Sequence, residues 1–347
     1  MRSTLVKPIR RHLLGLLASS LYLPLLGKVA AAASATLMVS ASDELVQTAL
    51  KKEVDPSFRR LAAAEVLSDR SLSMNMADRY LGTETFHSWA DVICARDFEM
   101  KQLAGFGEFN ELNSKDIPRL AASVRHEVGA RKALIMRSPI AIMSTPAAPR
   151  TPTSLADLWD RPVAKRLGIV TSDIIDAALI ASAAHGGARG RVSHADAGFR
   201  AWRDLGVHVY ETPDAAMSAM RTGEIAVMFG PLTRYFALKK LGLSLQKNVP
   251  DEGTYYLNVE AAVPAHSRNR SSAQKYIDAV LSRQAQQSIA ETFGMAPVVS
   301  DVELNSDLSS QIELVGHEAE NLWDLNAPEI LQSLPDIRKL WALHLKS

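Results

Sequence analysis

Polar and charged residues lie at four places where a predicted strand ends and a helix begins. These places are Ser40–Asp43, Arg96–Asp97, Thr171–Asp176 and Phe229–Arg234. In open α/β sheets, ligands bind where strands stop and where the N–H groups of helix N-termini point. The four segments therefore predict a shared binding site built from two α/β blocks that face one cleft. Ser and Asp at such positions are also the usual helix N-caps, which is the alternative role for any one of them.

Sequence patterns of common catalytic and metal sites are missing. The chain has no G-x-S-x-G, H-E-x-x-H, C-x-x-C or G-x-x-x-x-G-K-[ST] pattern. No pair of its 9 histidines has metal-ligand spacing on a predicted helix. The glycine-containing stretch AHGGARG follows a predicted helix, whereas a phosphate-binding loop would precede one. We therefore expect no enzymatic activity, no metal site and no cofactor.

The first 35 residues have the three parts of a secretory signal peptide. MRSTLVKPIRR is basic, LLGLLASSLYLPLLG is apolar, and VAAAASA supplies small residues for cleavage. We place cleavage after Ala35, with Ala33 as the alternative site and a non-cleaved anchor as the alternative fate. Arg10 and Arg11 loosely resemble a twin-arginine signal, and a general secretory signal fits equally well. The sequence thus predicts an exported, periplasmic protein.

Charge and cysteine content restrict the partners of the mature chain. Removing residues 1–35 takes away five basic residues and leaves 34 Lys and Arg against 38 Asp and Glu. A mildly acidic protein gives no electrostatic reason to expect nucleic-acid binding. The single cysteine, Cys94, cannot form an internal disulfide and is not at the predicted cleavage site, where it could carry a lipid.

Strands and helices alternate in two blocks on either side of the Pro/Thr-rich segment 144–154. Apolar strand-like runs such as TLMVSAS, ADVICA, RLGIVTS and IAVMFG are each followed by a helical pattern. This order predicts βαβ units on mostly parallel sheets. Residues 271–294 are predicted to form one long helix, and residues 316–347 a helical tail in which Trp323 and Trp341 are packing anchors.

Several segments resemble, in the same order, the spermidine/putrescine-binding branch of the periplasmic solute-binding proteins of ABC transporters. These segments are ALKKEVDPSF, ADVICARDFEMKQLAGFGEFNELNSKDIPRL, PTSLADLWD, GEIAV, DEGTYYLNVEAAVP, AQKYIDAVL and AETFGMAP. The resemblance implies a type II periplasmic binding protein fold. In this α/β fold, two lobes, each a mostly parallel sheet flanked by helices, are joined by hinge strands, here near Met136–Met143 and Tyr256–Val263.

The resemblance also implies how the chain divides between the lobes. Residues 36–138 would form the first part of lobe 1, and residues 139–258 would form lobe 2. Residues 259–347 would return to lobe 1 and add its C-terminal helices. A solute would bind in the cleft between the lobes, and closure over it would produce the form that the transporter recognises.

Ligand-binding positions carry over from the family only in part. Its two carboxylates at the start of the second-lobe helix correspond to Asp173 and Asp176, whereas a tryptophan and an amine-binding aspartate correspond to Leu257 and Val259. Losing an aromatic face and a carboxylate argues against a long polyamine, because ammonium groups need both when buried. The predicted ligand-binding residues are Ser42, Asp43, Glu44, Arg96, Asp97, Ser172, Asp173, Asp176, Phe229, Arg234, Tyr255, Leu257 and Val259.

Together these observations predict the periplasmic substrate-binding component of an ABC import system. It would bind a small, amine-containing solute as a monomer and deliver it to a membrane permease and its ATPase. Arg96 and Arg234 would suit a carboxylate or phosphate if they face the cleft, so a solute carrying either group is an alternative, and a zwitterion or a monoamine fits at least as well as spermidine. An exported solute-sensing receptor domain is the other alternative.

Overall fold

A sheet of nine strands runs through the part of the chain that the structure describes. The structure is a computed structural model, and it describes residues 36–62, 64–69, 90–105, 108–124 and 130–346. The predicted signal peptide, residues 1–35, lies outside the described residues. The strands are β1 (Thr36–Ala41), β2 (Glu65–Asp69), β3 (Val92–Arg96), β4 (Lys132–Ser144), β5 (Leu167–Val170), β6 (His208–Tyr210), β7 (Val227–Pro231), β8 (Gln246–Asn248) and β9 (Tyr256–Ala262).

Helices cover both faces of the sheet, and among those described none is long and apolar enough to cross a membrane. They are α1 (Glu44–Ala49), α2 (Asp55–Ala62), α3 (Asp97–Ala104), α4 (Arg161–Ala164), α5 (Ile174–Ala184), α6 (Ala195–Leu205), α7 (Pro213–Thr222), α8 (Leu232–Lys240), α9 (Arg270–Val280), α10 (Arg283–Phe293), α11 (Ser306–Ile312) and α12 (Ala327–His344). A π-helical segment, Leu50–Val54, joins α1 to α2.

The strand order divides the sheet into two lobes that share one long strand. The order is β2-β1-β3-β9-β4-β7-β5-β6, with β8 beside β4. In the first lobe, β1 runs parallel to β2 and β3, and in the second lobe β5 runs parallel to β6 and β7. The first half of β4 pairs with β9, and its second half pairs with β7 and β8. The predicted two-lobed α/β fold is confirmed, with β4 and β9 near the predicted hinge positions.

Each lobe has its own hydrophobic core. The core of the first lobe packs β1, β3 and β9 against α1, α2, α9 and α10, and it contains Phe58 and Tyr276. The second lobe has one core on α5 and α6, around Trp202 and Phe199, and a smaller one under α7 and α8. Fully burying apolar side chains of this size stabilises the fold by about 1.5–3 kcal/mol each. Each lobe is therefore packed mainly on its own core, and the lobes also contact each other through a small cluster in which Phe236 of α8 packs with Ala290 of α10.

The C-terminal helix differs from the sequence prediction in where it packs. The prediction assigned residues 259–347, including the C-terminal helices, to the first lobe. In the structure α12 packs against α5 and α6, and Trp341 contacts the ring of Phe199 in the second-lobe core. An amphipathic pattern specifies a buried face, but it does not specify which lobe covers that face.

Two further predictions about helices need correction. The segment 271–294 forms two helices, α9 and α10, because Ser282 has an extended backbone and its hydroxyl accepts a hydrogen bond from the N–H of Ala285 at 3.3 Å. In the tail, helix α12 contains Trp341, whereas Trp323 lies in an irregular segment and donates its indole N–H to the carbonyl of Glu252 at 2.9 Å. Both tryptophans are buried, as expected of packing anchors.

Candidate functional site

A buried ion pair joins the two lobes across the predicted cleft. Arg96 ends β3 of the first lobe, and Asp176 lies in the first turn of α5 in the second lobe. The guanidinium of Arg96 donates to both carboxylate oxygens of Asp176, at 2.9 and 3.1 Å. The side chain of Asp176 is 1% exposed, and that of Arg96 is 15% exposed. Such bidentate, charge-assisted contacts are among the strongest hydrogen bonds in proteins.

Tyr255, next to hinge strand β9, completes this contact. Its hydroxyl donates to Oδ1 of Asp176 at 2.8 Å. Burial raises the pKa of the Tyr255 hydroxyl well above its ordinary value, and the carboxylate of Asp176 raises it further. Burial by itself lowers the pKa of the Arg96 guanidinium, but Asp176 offsets this effect and the pKa lies above its ordinary value. Tyr255 therefore stays a donor and Arg96 stays a cation.

A second buried ion pair lies within the second lobe. Arg234, in the first turn of α8, donates through both terminal nitrogens to Asp173, with Nη2 at 2.8 Å from Oδ1. Both residues are 7% exposed. Asp176 and Asp43 also act electrostatically on Arg234, and together with Asp173 they raise its pKa despite burial, which lowers it. We call Arg96, Asp173, Asp176, Arg234 and Tyr255 the charged cluster.

Gly230 makes room for the guanidinium of Arg234. A Cβ at position 230 would lie 2.6 Å from Nη1 of Arg234, which is closer than atoms of neighbouring side chains pack. The sequence places this glycine in the strand β7, four residues before Arg234. Any larger residue at position 230 would therefore push the guanidinium away from Asp173.

Gly230→Ala is expected to destabilise the protein by about 1–3 kcal/mol, because the added methyl group displaces a buried guanidinium from its carboxylate. Urea unfolding followed by circular dichroism measures the change. Gly105→Ala is the matched control, since Gly105 has right-handed helical backbone angles and its added Cβ would meet only the carbonyl of Gln102, at 3.2 Å. Equal losses in the two variants would contradict this role of Gly230.

The first-lobe residues beside Arg96 form a capping network. Asp43 is the N-cap of α1 and accepts from the N–H groups of Leu45 and Val46 at 2.8 and 3.1 Å. Glu99 accepts from the hydroxyl of Ser42 at 2.7 Å and from the N–H of Arg96 at 3.0 Å. Burial raises the pKa of Glu99, and the hydrogen bond from Ser42 counteracts this in part. These contacts hold Arg96 in place at the end of β3.

Only part of the predicted site is brought together in the charged cluster. Phe229 is 2% exposed and stacks on Trp202 in the second-lobe core, and Val259 is 2% exposed in the first-lobe core. Leu257 packs between the cores of the two lobes. The predicted residues that do not join the cluster are Ser42, Asp43, Glu44, Asp97, Ser172, Phe229, Leu257 and Val259.

The remaining polar residues of the prediction lie close to the cluster or at the surface. Ser42 reaches it through Glu99, and the exposed Ser172 donates its hydroxyl to Oδ1 of Asp173 at 3.4 Å, whereas Glu44 is exposed. Asp97 accepts from the side-chain amide of Asn258 at 3.2 Å, so Asn258 of the hinge contacts a predicted site residue.

Sequence reasoning missed two residues of the site, Glu99 and Phe98. Phe98 belongs to α3 of the first lobe but packs into the α5–α6 core of the second lobe, and the Arg96 guanidinium lies 4.6 Å from the centre of its ring. The capping-box spacing between Arg96 and Glu99 was a sequence signal, but arginine is not among the usual N-cap residues. Phe98 follows Arg96 and Asp97 directly, and only the structure shows that it crosses the cleft.

The groups of the charged cluster are of the kind that recognise a charged ligand. The cluster combines two guanidinium groups, two carboxylates and a phenol hydroxyl that stays protonated, all largely removed from water. Within the described ranges, no group of three or more His, Cys, Asp and Glu residues is placed to hold a metal ion. Buried, geometrically fixed charges of both signs suit the binding of a small charged solute.

Solved structures with the same fold are numerous, and three serve as examples. An ABC transporter protein from Clostridium perfringens is 19% identical with a TM-score of 0.70, and the match covers 89% of this chain and 99% of that one. A protein described as the Atu4243-GABA receptor is 16% identical with a TM-score of 0.72, and the match covers 90% of this chain and 98% of that one. AgtB from A. tumefaciens, in complex with agropinic acid, is 14% identical, with a TM-score of 0.70 and coverage of 90% and 99%. At these identities the likeness shows the fold.

Sequence comparison identifies the family. No curated protein matches the chain. A family model described as bacterial extracellular solute-binding protein matches residues 90–315, which include β3, both hinge strands and the whole charged cluster. The match spans more than half of the sequence, and the chain therefore belongs to the family of bacterial extracellular solute-binding proteins.

Proposed function

We propose that the protein is the substrate-binding component of an ABC import system and binds a small, amine-containing solute between its lobes. The observation that carries the proposal is the bidentate pair of Arg96 and Asp176, one residue from each lobe. A solute that engages these two groups contacts both lobes at once. It therefore stabilises the closed form, which a membrane permease and its ATPase would recognise.

The carboxylates of the cluster support an amine-containing solute. Asp173 and Asp176 are buried at the start of α5, where a cationic group would find a negative partner. A long polyamine is less well matched, because Leu257 and Val259 occupy the positions of an aromatic and an acidic residue in the polyamine-binding branch. We therefore do not extend the proposal to spermidine or putrescine. The two buried arginines favour a carboxylate or phosphate as a further group on the solute.

One structural neighbour is described as a GABA receptor, and another is in complex with agropinic acid. Both are similar to this chain in fold at low identity, and the charges of the cluster are what supports the proposed ligand class. The proposal also includes export with cleavage after Ala35, a monomeric state and a second lobe that spans residues 139–258.

The test is solute-induced closure of the lobes. Cys94 is buried, so spin labels attached through Leu61→Cys and Leu241→Cys would report the distance between the lobes. Leu61, on α2 of the first lobe, is 84% exposed, and Leu241, after α8 of the second lobe, is 62% exposed. Double electron–electron resonance should show a narrower distance distribution when an amine-containing solute is added. If no solute in an amine, amino-acid, carboxylate and phosphate panel alters the distribution or the melting temperature, the proposal is wrong.

A further inference from the structure

We infer that the solute carries both an ammonium and a carboxylate group, and that these two groups replace the partners of the Arg96–Asp176 pair. The inference rests on the proposed function, since it requires a solute that enters the cleft. It assigns a substrate class, small zwitterions, to a cluster whose charges come from the two lobes. The ammonium would take the place of Arg96 beside Asp176, and the carboxylate would take the place of Asp176 beside Arg96.

The two ion pairs of the cluster are already balanced. Each guanidinium faces one carboxylate in a bidentate contact, Arg96 with Asp176 and Arg234 with Asp173. The charges of these pairs cancel, and the neighbouring carboxyl of Glu99, which acts electrostatically on Arg96, has its pKa raised by burial. A solute that enters must separate at least one of these pairs or find a place beside them, and the separated partners then need new ones, because a buried charge without a partner is strongly unfavourable.

Only one of the two ion pairs spans the two lobes, and this is the pair that a solute would separate. Arg234 and Asp173 are both on the second lobe, so this pair persists when the lobes move apart. Arg96 and Asp176 are on different lobes, so lobe movement separates them and exposes both to the entering solute. The Arg96–Asp176 pair is therefore the one that a solute exchanges, while the Arg234–Asp173 pair shapes the wall of the site.

Solutes of different charge would leave the cluster in different states. An amine without an acidic group satisfies Asp176 but leaves the buried Arg96 guanidinium with only the neighbouring carboxyl of Glu99, whose pKa is raised by burial. A carboxylate without an amine satisfies Arg96 but leaves Asp176 buried and without a cation. A zwitterion satisfies both and keeps the cluster neutral, so it alone closes the lobes without leaving an uncompensated charge.

One donor of Arg96 is unused in the ion pair. Nε of Arg96 is buried and has no hydrogen-bond partner, whereas each terminal nitrogen donates once to Asp176. The hydroxyl of Thr171, the residue after β5, is also buried without a partner. Nε of Arg137 and of Arg166 share this property, so it is not confined to the cluster; in the cluster, an acceptor group on a solute would satisfy Nε of Arg96.

Isothermal titration of the full exported protein with matched solutes tests the inference. The probes are the common α-amino acids and ω-amino acids of three to six carbons, each with the amine that lacks its carboxylate and the acid that lacks its amine. Spermidine, putrescine and inorganic phosphate complete the set. We expect at least one zwitterion to bind and its amine and acid counterparts to bind about 100-fold more weakly or not at all.

Two variants test the preference between a zwitterion and its matching amine or acid. A purely structural role of the substituted residue would not change this preference. Arg96→Gln removes the cation that an amine would leave unpaired, so it should lower zwitterion affinity about 100-fold and shift preference towards the matching amine. Asp176→Asn should lower it similarly and shift preference towards the matching acid. Arg200→Gln is the matched control, because Arg200 is 56% exposed in a surface pair on α6, and its affinities should equal those of the unchanged protein.

The outcomes separate this inference from the proposed function. Tight binding of spermidine, of phosphate or of a plain amine or acid, with lobe closure, would overturn the zwitterion assignment and leave the transport function standing. The same holds if no zwitterion in the set binds while another solute does. If Arg96→Gln weakened the binding of the zwitterion, the amine and the acid of a matched set by the same factor, the zwitterion assignment would also be overturned. Failure of every solute to bind would contradict the proposed function itself.

Discussion

Asp176→Asn is expected to separate the two lobes without unfolding either of them. The substitution removes the charge that compensates Arg96 and weakens the acceptor of the Tyr255 hydroxyl. A buried guanidinium that loses its carboxylate is unfavourable by about 3–5 kcal/mol. Because Arg96 and Asp176 are on different lobes, lobe opening returns the guanidinium to water and removes most of this penalty. The closed-to-open equilibrium should therefore shift towards the open form by a factor of about 100 or more.

Double electron–electron resonance on the Leu61→Cys and Leu241→Cys label pair measures this shift directly. The distance distribution of Asp176→Asn should move to the open population, and the midpoint of urea unfolding should change little. Asp336→Asn is the control, because Asp336 is 74% exposed and forms a surface pair with Lys339. If Asp176→Asn and Asp336→Asn gave the same distances, the ion pair across the cleft would have no part in lobe closure.

Asp173→Asn is expected to have the opposite profile, with a large loss of stability and little lobe opening. Its partner Arg234 is only 7% exposed and is on the same lobe, so opening the cleft does not separate the two residues. The uncompensated guanidinium should lower the free energy of unfolding by about 3–5 kcal/mol. Urea unfolding at neutral pH, followed by circular dichroism, gives this value.

A double-mutant cycle makes the second prediction specific. Arg234→Met replaces the cation by an apolar side chain, and in the Asp173→Asn background it should recover most of the lost stability, because replacing both members of a buried pair is often close to neutral. Additive losses in the double variant would show that the two side chains are not coupled. The contrast between Asp173 and Asp176, three residues apart on one helical turn, isolates the effect of spanning the cleft.

Local sequence patterns predicted the architecture, since alternating apolar strands and amphipathic helices specify βαβ units without long-range information. They also placed Arg96, Asp173, Asp176 and Arg234 at strand ends, where the cluster lies. They could not predict that Arg96 pairs with Asp176, 80 residues away, because pairing depends on how the two lobes meet. For the same reason, both Tyr255 and Val259 were predicted to bind the ligand, whereas only Tyr255 joins the cluster.

Differences between the predicted site and the charged cluster share one physical cause. Phe229 was assigned to the site because it lies at the end of a predicted strand, and Val259 because of the family resemblance, and both pack inside hydrophobic cores. Phe98 and Glu99 were missed although they directly follow predicted site residues. In each case the backbone position was anticipated, but the direction of the side chain depends on packing between segments distant in the sequence.

The two lobes draw their cores from different stretches of the chain, and this difference affects the order in which they fold. The smaller second-lobe core is drawn from one continuous segment, residues 141–245. The first-lobe core needs residues from Leu37 to Val299, and the Tyr276 hydroxyl reaches the carboxylate of Asp55 across 221 positions. Contacts closed over short stretches form sooner than contacts over long ones, because loop-closure entropy grows with chain length.

During synthesis the middle of the chain is therefore expected to acquire a core first. Strands β1 and β3 emerge early, but β9, which β3 needs as a neighbour, follows more than 150 residues later. Until then the apolar first-lobe strands stay exposed, the state in which chaperones bind and proteins misassemble. The hinge strand β4 begins in one lobe and ends in the other, and its residues Ala141 and Met143 belong to the smaller core under α7 and α8, so this core fixes the strand on which the first lobe is later assembled.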